Sequence, residues 1–269
     1  MKNCSTNIQI VKKSLVILCF IFISIHSVAQ EERRKVLKVN LSAAAMGAAT
    51  VQYERVFGNH FSLALGAGYR PKSLFPYAKD LEKYVDFADG KIDYISFDNV
   101  KKAESKIGMY HITPELRFYF GNKGAPIGTY LSLFAKYNDF HGDVPVFVDT
   151  DYRGVPVRLE LPVDTKIQTA SAGLMVGHQF RLGNRFTFDC YIIGAHFGRV
   201  SVHGESNQNL EGFDDDFRTR LRDKILTTFK INEDYLGLVV DNQGVRIDNV
   251  RQLNYLNLRG FGFNLGYRF

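Results

Sequence analysis

Nine charged residues could form ion pairs, because all of them fall on the polar side of segments in which polar and apolar residues alternate. Successive side chains of a β-strand point to opposite faces, so residues two apart share a face. If the apolar face points outward, the polar face gathers both signs of charge in the interior of a closed sheet. These residues are Lys38, Glu54, Arg70, Glu115, Arg117, Lys136, Arg181, Asp189 and Arg268. We expect a packed interior; the alternative is a narrow ion path or a ligand held by Glu115 and Arg117.

One polar segment contains the residue types of an acyl hydrolase, namely His196, His203, Glu205 and Ser206. Their spacing alone defines no hydrogen-bond geometry, and such residues meet by chance in loops. We therefore predict no catalytic residue and interpret the four as polar residues of a loop and its rim.

Two acidic groups could bind Ca²⁺, and two histidines could bind a transition metal. The acidic groups are the run 214–216 and the set Asp86, Asp89, Gly90 and Asp93. Neither group has the spacing of an EF-hand loop, so both are interpreted as solvated loop acids. His111 and His178 lack neighbours at metal-ligand spacing and are interpreted as residues of the sheet wall. No metal or cofactor is predicted.

The N-terminal segment has the layout of a secretory signal peptide. Lys2, Lys12 and Lys13 precede an apolar run of about eleven residues, which is shorter than the roughly 20 that a spanning helix needs. Small residues at Ser27 and Ala29 suit a signal peptidase. We predict cleavage after Ala29, with a signal peptide over residues 1–29 and one domain over residues 30–269.

Composition excludes several classes of protein. Removal of the three signal-peptide lysines lowers the formal net charge from +6 to +3. The other Lys and Arg residues are mixed with Asp and Glu, which is typical of a solvated surface and argues against nucleic acid as a partner. Cys190 is the only cysteine after residue 29, so no intrachain disulfide can form. No later apolar run approaches 18 residues, which leaves a closed β-barrel as the only way to span a bilayer.

Alternation of apolar and polar residues recurs eight times and predicts eight strands. The segments are 36–44, 50–57, 61–70, 108–120, 129–137, 167–180, 185–200 and 260–269. The pattern shifts near Gly194, which indicates a bulge, and Pro114 indicates a local irregularity because proline cannot donate to the ladder. Aromatic residues near the strand ends suit the two girdles of a membrane barrel.

Short and long connections alternate between these strands, except that the first connection, near Met46 and Gly47, is also short. Short turns are predicted at 58–59, 121–127 and 183–184, and long polar loops at 71–106, 139–165 and 201–252. This asymmetry is typical of an outer-membrane barrel with periplasmic turns and extracellular loops. The last loop has apolar residues at helical spacing from Phe213 to Phe229, which predicts an amphipathic helix. A hairpin over 235–240 and 245–250 is predicted to follow it.

Several blocks resemble a family of outer-membrane proteins of unknown function found mainly in Bacteroidota, domain-of-unknown-function family 3575. The blocks are VQYER at 51–55, PELRFYF at 114–120, TYL at 129–131 and FAKY at 134–137. The resemblance implies a small outer-membrane barrel without an assigned catalytic residue. The long loop 201–252 departs from it. The end of the chain also resembles the signal that the barrel-assembly machinery recognises, with aromatic residues at Tyr267 and Phe269.

Together these patterns predict an all-β fold: an eight-stranded antiparallel transmembrane β-barrel with long extracellular loops, one of which carries the amphipathic helix. We expect a non-enzymatic protein that is secreted to the outer membrane. Its expected partners are outer-membrane lipid, lipopolysaccharide, the barrel-assembly machinery and an extracellular ligand at the loops. Two alternatives remain: an outer-membrane enzyme that modifies lipid A, and a soluble lipocalin-like periplasmic barrel whose apolar face points inward to a ligand.

Overall fold

The protein is all-β in a computed structural model that describes residues 33–74, 104–121 and 124–269. Its strands are β1 (Lys35–Asn40), β2 (Ala49–Phe57), β3 (Phe61–Leu74), β4 (Lys106–Tyr119), β5 (Gly128–Tyr152), β6 (Val155–Leu182), β7 (Phe186–Ser206), β8 (Leu236–Asp241), β9 (Gly244–Asn249), β10 (Leu253–Arg259) and β11 (Gly262–Arg268). The helices are α1 (Leu41–Ala45) and α2 (Asp215–Phe229). Neither of these helices has the length and apolar character needed to cross a membrane.

The strands form one antiparallel sheet, as predicted. Each strand from β1 to β6 pairs with the next, and β11 pairs with both β7 and β1, so the order of pairing returns to the strand where it began. Among the described strands, β10 pairs only with β7. Beyond β10, β9 pairs with the end of β7 and with β8.

Alternation along each strand separates a buried face rich in polar groups from an exposed apolar face. In β3, Ser62 and Ala64 are buried, whereas Leu63 and Leu65 are about half exposed. Strand β4 repeats the pattern, with Arg117 fully buried beside the exposed Leu116. This distribution is the reverse of the one that water-soluble proteins show.

The first predicted strand is shorter than the alternation indicated. β1 ends at Asn40, and the predicted strand residues 41–44 belong to α1 instead. The Asn40 side chain accepts a hydrogen bond of 2.6 Å from the Ala43 amide, so a local N-cap competes with continuation of the strand. The last predicted strand, in contrast, extends backward through β10, with an interruption at Gly260 and Phe261.

The prediction of a long loop over 139–165 is wrong, because β5 and β6 continue through it as one hairpin. Their pairing runs without a break from Gly128 opposite Gln179 to Tyr152 opposite Val155. Both turn residues, Arg153 and Gly154, have positive φ, as two-residue hairpins that match strand twist require. The prolines and charges of this segment concealed its strand character.

The far part of this hairpin is covered by α2 and the β8–β9 hairpin, which we call the α2 layer. The predicted amphipathic helix is confirmed, since Phe217, Leu221, Ile225 and Phe229 are all buried. Together with four residues of the neighbouring elements they form one apolar cluster: Val148, Leu161, Leu210 and Leu238. The predicted hairpin is likewise confirmed by the pairing of β8 with β9. Residues 75–103 of the loop 71–106 lie outside the described residues.

Two predicted irregularities are found. The β6–β7 register shifts between Val176 and Gly177, which leaves Ile192 unmatched on β7 and moves the later side chains to the other face. On β4, Thr113 and Pro114 have no partners in the register with β5, although the same register continues on both sides of them. The bulge explains why the alternation in β7 changes phase near Gly194.

Phe217→Ala is expected to destabilise the α2 layer by about 3–5 kcal/mol, because loss of a fully buried ring leaves a cavity. Hydrogen exchange of the α2 amides at increasing urea concentration measures this change. The matched control, Val239→Ala, removes a half-exposed side chain of β8 and should cost less than about 1 kcal/mol. Equal losses in the two variants would contradict the packing described.

Candidate functional site

Five charged side chains from β1, β2, β4 and β7 meet on the buried face and form what we call the buried ion cluster. They are Lys38, Glu54, Glu115, Arg117 and Asp189, and none is more than 1% exposed. Along each strand these charged residues alternate with half-exposed apolar residues of the other face. The pleat that exposes the leucines therefore also turns the charges to one buried face. Burial of five charges requires that they compensate one another.

Lys38 joins the first strand to strands distant in sequence. Its Nζ lies 2.6 Å from Asp189 Oδ2 and donates to Gln179 Oε1 at 2.7 Å. The same Nζ lies 2.6 Å from Glu54 Oε2, an ion pair that lacks hydrogen-bond alignment. One ammonium group therefore contacts β2, β6 and β7.

Arg117 bridges the remaining carboxylates. Its Nε and Nη2 both donate to Glu115 Oε2, at 2.9 and 2.6 Å, and its Nη1 donates to Asp189 Oδ2 at 2.8 Å. Nη2 also donates to Gln52 Oε1 at 3.1 Å. The guanidinium lies over the Tyr130 ring, with 4.4 Å from Cζ to the ring centroid. Such charge-assisted contacts are stronger than neutral hydrogen bonds.

Hydroxyl groups donate hydrogen bonds to the carboxylate oxygens that receive none from the cations. Tyr119 donates to Glu54 Oε1 at 2.7 Å, and Ser62 donates to the same oxygen at 2.5 Å. Tyr130 donates to Asp189 Oδ1 at 2.7 Å. The cluster is thus a continuous polar network, in which removal of one member leaves several partners unpaired.

Four of the nine predicted network residues lie outside this cluster. Arg70 is buried, but it donates to backbone carbonyls, including Met46 at 3.1 Å and Leu74 at 2.9 Å. Lys136 and Arg268 are partly buried. Arg181 is exposed, contrary to its predicted interior position, because it lies one residue from the end of β6.

Sequence analysis missed several members and neighbours of the cluster. Gln52, Tyr119 and Gln179 share its face, and their positions in the alternating pattern were the available signal. Arg259 was missed because it precedes the predicted final strand. Its Nη1 lies 3.4 Å from Glu115 Oε1, and its Cζ lies 4.4 Å from the Tyr191 ring centroid.

The four residues of the hydrolase hypothesis do not converge. His196 and Ser206 are ten residues apart on the extended strand β7, or roughly 33 Å. His203 Nδ1 lies 2.6 Å from Asp248 Oδ1, whereas Ser206 alternates to the opposite, buried face. His196 Nδ1 lies 3.0 Å from Ser171 Oγ instead.

The acidic run 214–216 serves α2. Asp214 accepts from the Phe217 amide at 2.8 Å as the N-cap, while Asp215 and Asp216 pair with Arg218 and Arg220. The candidate set from Asp86 to Asp93 lies outside the described residues. Within the residues described, no three His, Cys, Asp or Glu side chains gather at metal-binding distance, and His111 and His178 lie on β4 and β6.

The two aromatic residues of the predicted assembly signal lie together at the end of the chain. The rings of Tyr267 and Phe269 are stacked with centroids 6.5 Å apart, and Tyr267 also contacts Phe186 at 5.6 Å. Arg185 donates to the Tyr267 hydroxyl at 3.2 Å. These contacts tie the C-terminus to the turn before β7.

Fold and site define a class of antiparallel all-β protein with a charged, buried face and an apolar, exposed one. The family model for proteins of unknown function (DUF3575) matches residues 15–204, and the chain belongs to this family. The matched range includes every residue of the buried ion cluster and ends within β7. Comparison with the curated proteins finds no match.

Asp189→Ala is expected to lower the free energy of unfolding by about 3–5 kcal/mol, because it leaves two buried cations without a shared carboxylate. Equilibrium urea denaturation measures the loss. Asp143→Ala is the matched control, since Asp143 pairs with Lys72 at 2.5 Å but its side chain is 54% exposed. The control should lose at most about 1 kcal/mol. If both variants lose the same amount, the cluster does not stabilise the fold in the way described.

Proposed function

We propose that this chain is a small outer-membrane protein, an eight-stranded transmembrane β-barrel that anchors a surface-exposed interaction layer. In this proposal a signal peptide over residues 1–29 directs export. In the proposed barrel, β1 to β7 are the first seven strands, and β10 together with β11 is the eighth. The return of the pairing from β11 to β1 supports closure of the barrel. The family match is consistent with an activity that has not been assigned.

The observation that carries the proposal is the exposure of large apolar side chains on the outward face of the strands. Leu63, Leu65, Leu116, Leu133 and Leu174 are each about half exposed, on strands β3 to β6. Water-soluble monomers rarely expose contiguous apolar surface of this extent, whereas hydrocarbon is a favourable solvent for it. The soluble lipocalin-like alternative requires the opposite arrangement, with apolar residues inside and charges outside.

The apolar band has a length and aromatic borders that suit a bilayer. In β3 outward residues run from Phe61 to Tyr69, close to the roughly 9–11 residues of a transmembrane strand. The register pairs Phe61 with Phe118 at one end and Tyr69 with Tyr110 at the other. Paired aromatic residues at both borders are typical of interfacial girdles.

The buried ion cluster supports a scaffold role over a transport role. Five buried charges, two tyrosines and two glutamines bridge the strands across the interior, so the simplest function of the barrel is to hold its ends in place. The α2 layer covers the β5–β6 hairpin at the end remote from Lys35 and Phe269, and we propose that the loops of this end reach the cell surface. We propose that this layer and its loops contact an envelope or host partner. The barrel-assembly machinery would recognise Tyr267 and Phe269 and insert the barrel into a membrane whose outer leaflet consists of lipopolysaccharide.

Trypsin treatment of intact cells tests the orientation, because two arginines lie in exposed turns at opposite ends of the barrel. Arg153 forms the tip of the β5–β6 hairpin, and Arg185 lies in the turn before β7. We expect cleavage after Arg153 and protection of Arg185 in cells whose outer membrane is intact. Mass spectrometry of the membrane-bound fragments identifies the cut.

Permeabilised cells provide the control, since trypsin should then also reach Arg185. Cleavage at Arg185 but not at Arg153 in intact cells would invert the proposed orientation. Recovery of the uncut chain in the soluble periplasmic fraction would reject the membrane barrel altogether.

A further inference from the structure

A cavity of about 350 Å³ with both polar and apolar lining residues lies between the buried ion cluster and α1. Gln52, Glu115 and Asn264 line it on the side of the cluster, and residues of α1 such as Ser42 line the opposite side. Its volume is at the lower end of the range of small-molecule sites. The side chains that form the contacts of the cluster leave this cavity open.

Three polar groups of the cavity wall have no partner in the part of the chain that the structure describes. The Lys136 side chain forms no ion pair or hydrogen bond there, although it lies in a partly buried wall. His111 Nδ1 and Thr50 Oγ1 also lack a hydrogen-bond partner, but both atoms are fully enclosed above Gly68, which does not line the cavity. An ammonium group without a partner is costly in a partly buried wall, so Lys136 indicates a polar occupant of the cavity.

The balance of charge indicates the sign of that occupant. The cluster and the cavity wall together contain four cations, of which Lys38 and Arg117 are paired with Glu54, Glu115 and Asp189. The third cation, Arg259, takes the remaining Glu115 oxygen at 3.4 Å. All three carboxylates are then engaged, and Lys136 remains as a surplus cation. A bound anion would neutralise it.

The wall beside the cavity is interrupted. Gly260 and Phe261 line the cavity at the break between β10 and β11, and β10 has no strand on its second edge among those described. The free edge is partly satisfied by Asn257, whose Oδ1 accepts from the Leu258 amide at 2.7 Å. Leu256, Leu258 and Phe261 project outward there and are 65–75% exposed. An anionic group could therefore enter from the water above or, as a lipid headgroup, from the side.

We infer that this cavity binds an anionic group of the phosphate type, with Lys136 and Arg259 as its cationic contacts. The shared chemistry is a compact oxyanion, either a free ion or the headgroup of an acidic phospholipid. This site extends the proposed function, but it depends only on the fold and not on the cellular address.

Binding to the purified, detergent-solubilised full chain tests the inference in two arms. Inorganic phosphate is titrated by calorimetry, and retention of phosphatidylglycerol against phosphatidylcholine is followed by native mass spectrometry. Lys136→Met should weaken binding about tenfold or more, because a charge-assisted contact is lost. Lys166→Met is the control, since this lysine is exposed on β6 outside the cavity and should bind as the original chain does.

Lys136→Gln keeps a polar side chain without the charge and provides a second variant with less effect on folding; a several-fold loss of affinity is expected from it. Phosphate binding that depends on Lys136 supports a site for free oxyanions. Retention of phosphatidylglycerol alone, with the same dependence, supports a headgroup site. The inference is overturned if neither probe binds, or if Lys136→Met and Lys136→Gln bind as the Lys166→Met control does. Because both arms use detergent, failure here leaves the trypsin result for orientation unaffected.

Discussion

The contacts of Asp189 with Lys38 and Arg117 join β7 to β1 and β4, two strands that lie far from it in the sequence. A carboxylate buried without cations would be prohibitively costly, and so would the cations without it. The three side chains therefore require that β1, β4 and β7 turn their buried faces toward one another. This one requirement is compatible with three other features of the sheet: the pairing of β11 with both β7 and β1, the burial of the tyrosines and the exposure of the leucines.

Strand character could be predicted from sequence wherever the two faces differ strongly in polarity. β3 is the clearest case, since leucines alternate there with serine, alanine and glycine. Prediction failed where local chemistry or tertiary cover replaced the pattern. The Asn40 cap turned predicted strand into α1, and the α2 layer covers apolar residues of the β5–β6 hairpin whose alternation prolines obscure. Neither the cap nor the covering layer can be recognised from the alternation of polar and apolar residues.

The buried ion cluster was predictable as a set of positions but not as a set of contacts. Alternation assigned Glu54, Glu115 and Arg117 to one face, whereas the partners of each also depend on the pairing of β11 with β1 and β7, which joins strands distant in sequence. The face on which a residue lies does not indicate how deeply its side chain is buried. Arg181 was therefore assigned to the interior, although it lies exposed near a strand end. Arg259 and the cavity above the cluster depend on the interruption after β10, which has no signal beyond one glycine.

Quenching of introduced tryptophans by brominated lipid tests most directly whether the apolar face contacts hydrocarbon. The chain contains no tryptophan, so each variant reports on one position. Leu65 on β3 and Val239 on β8 are 50% and 49% exposed, which makes Leu65→Trp and Val239→Trp a matched pair. In vesicles of phosphatidylcholine brominated on the acyl chains, the fluorescence of Leu65→Trp should be strongly quenched and that of Val239→Trp should not. Equal fluorescence of Leu65→Trp in brominated and unbrominated vesicles would contradict the account.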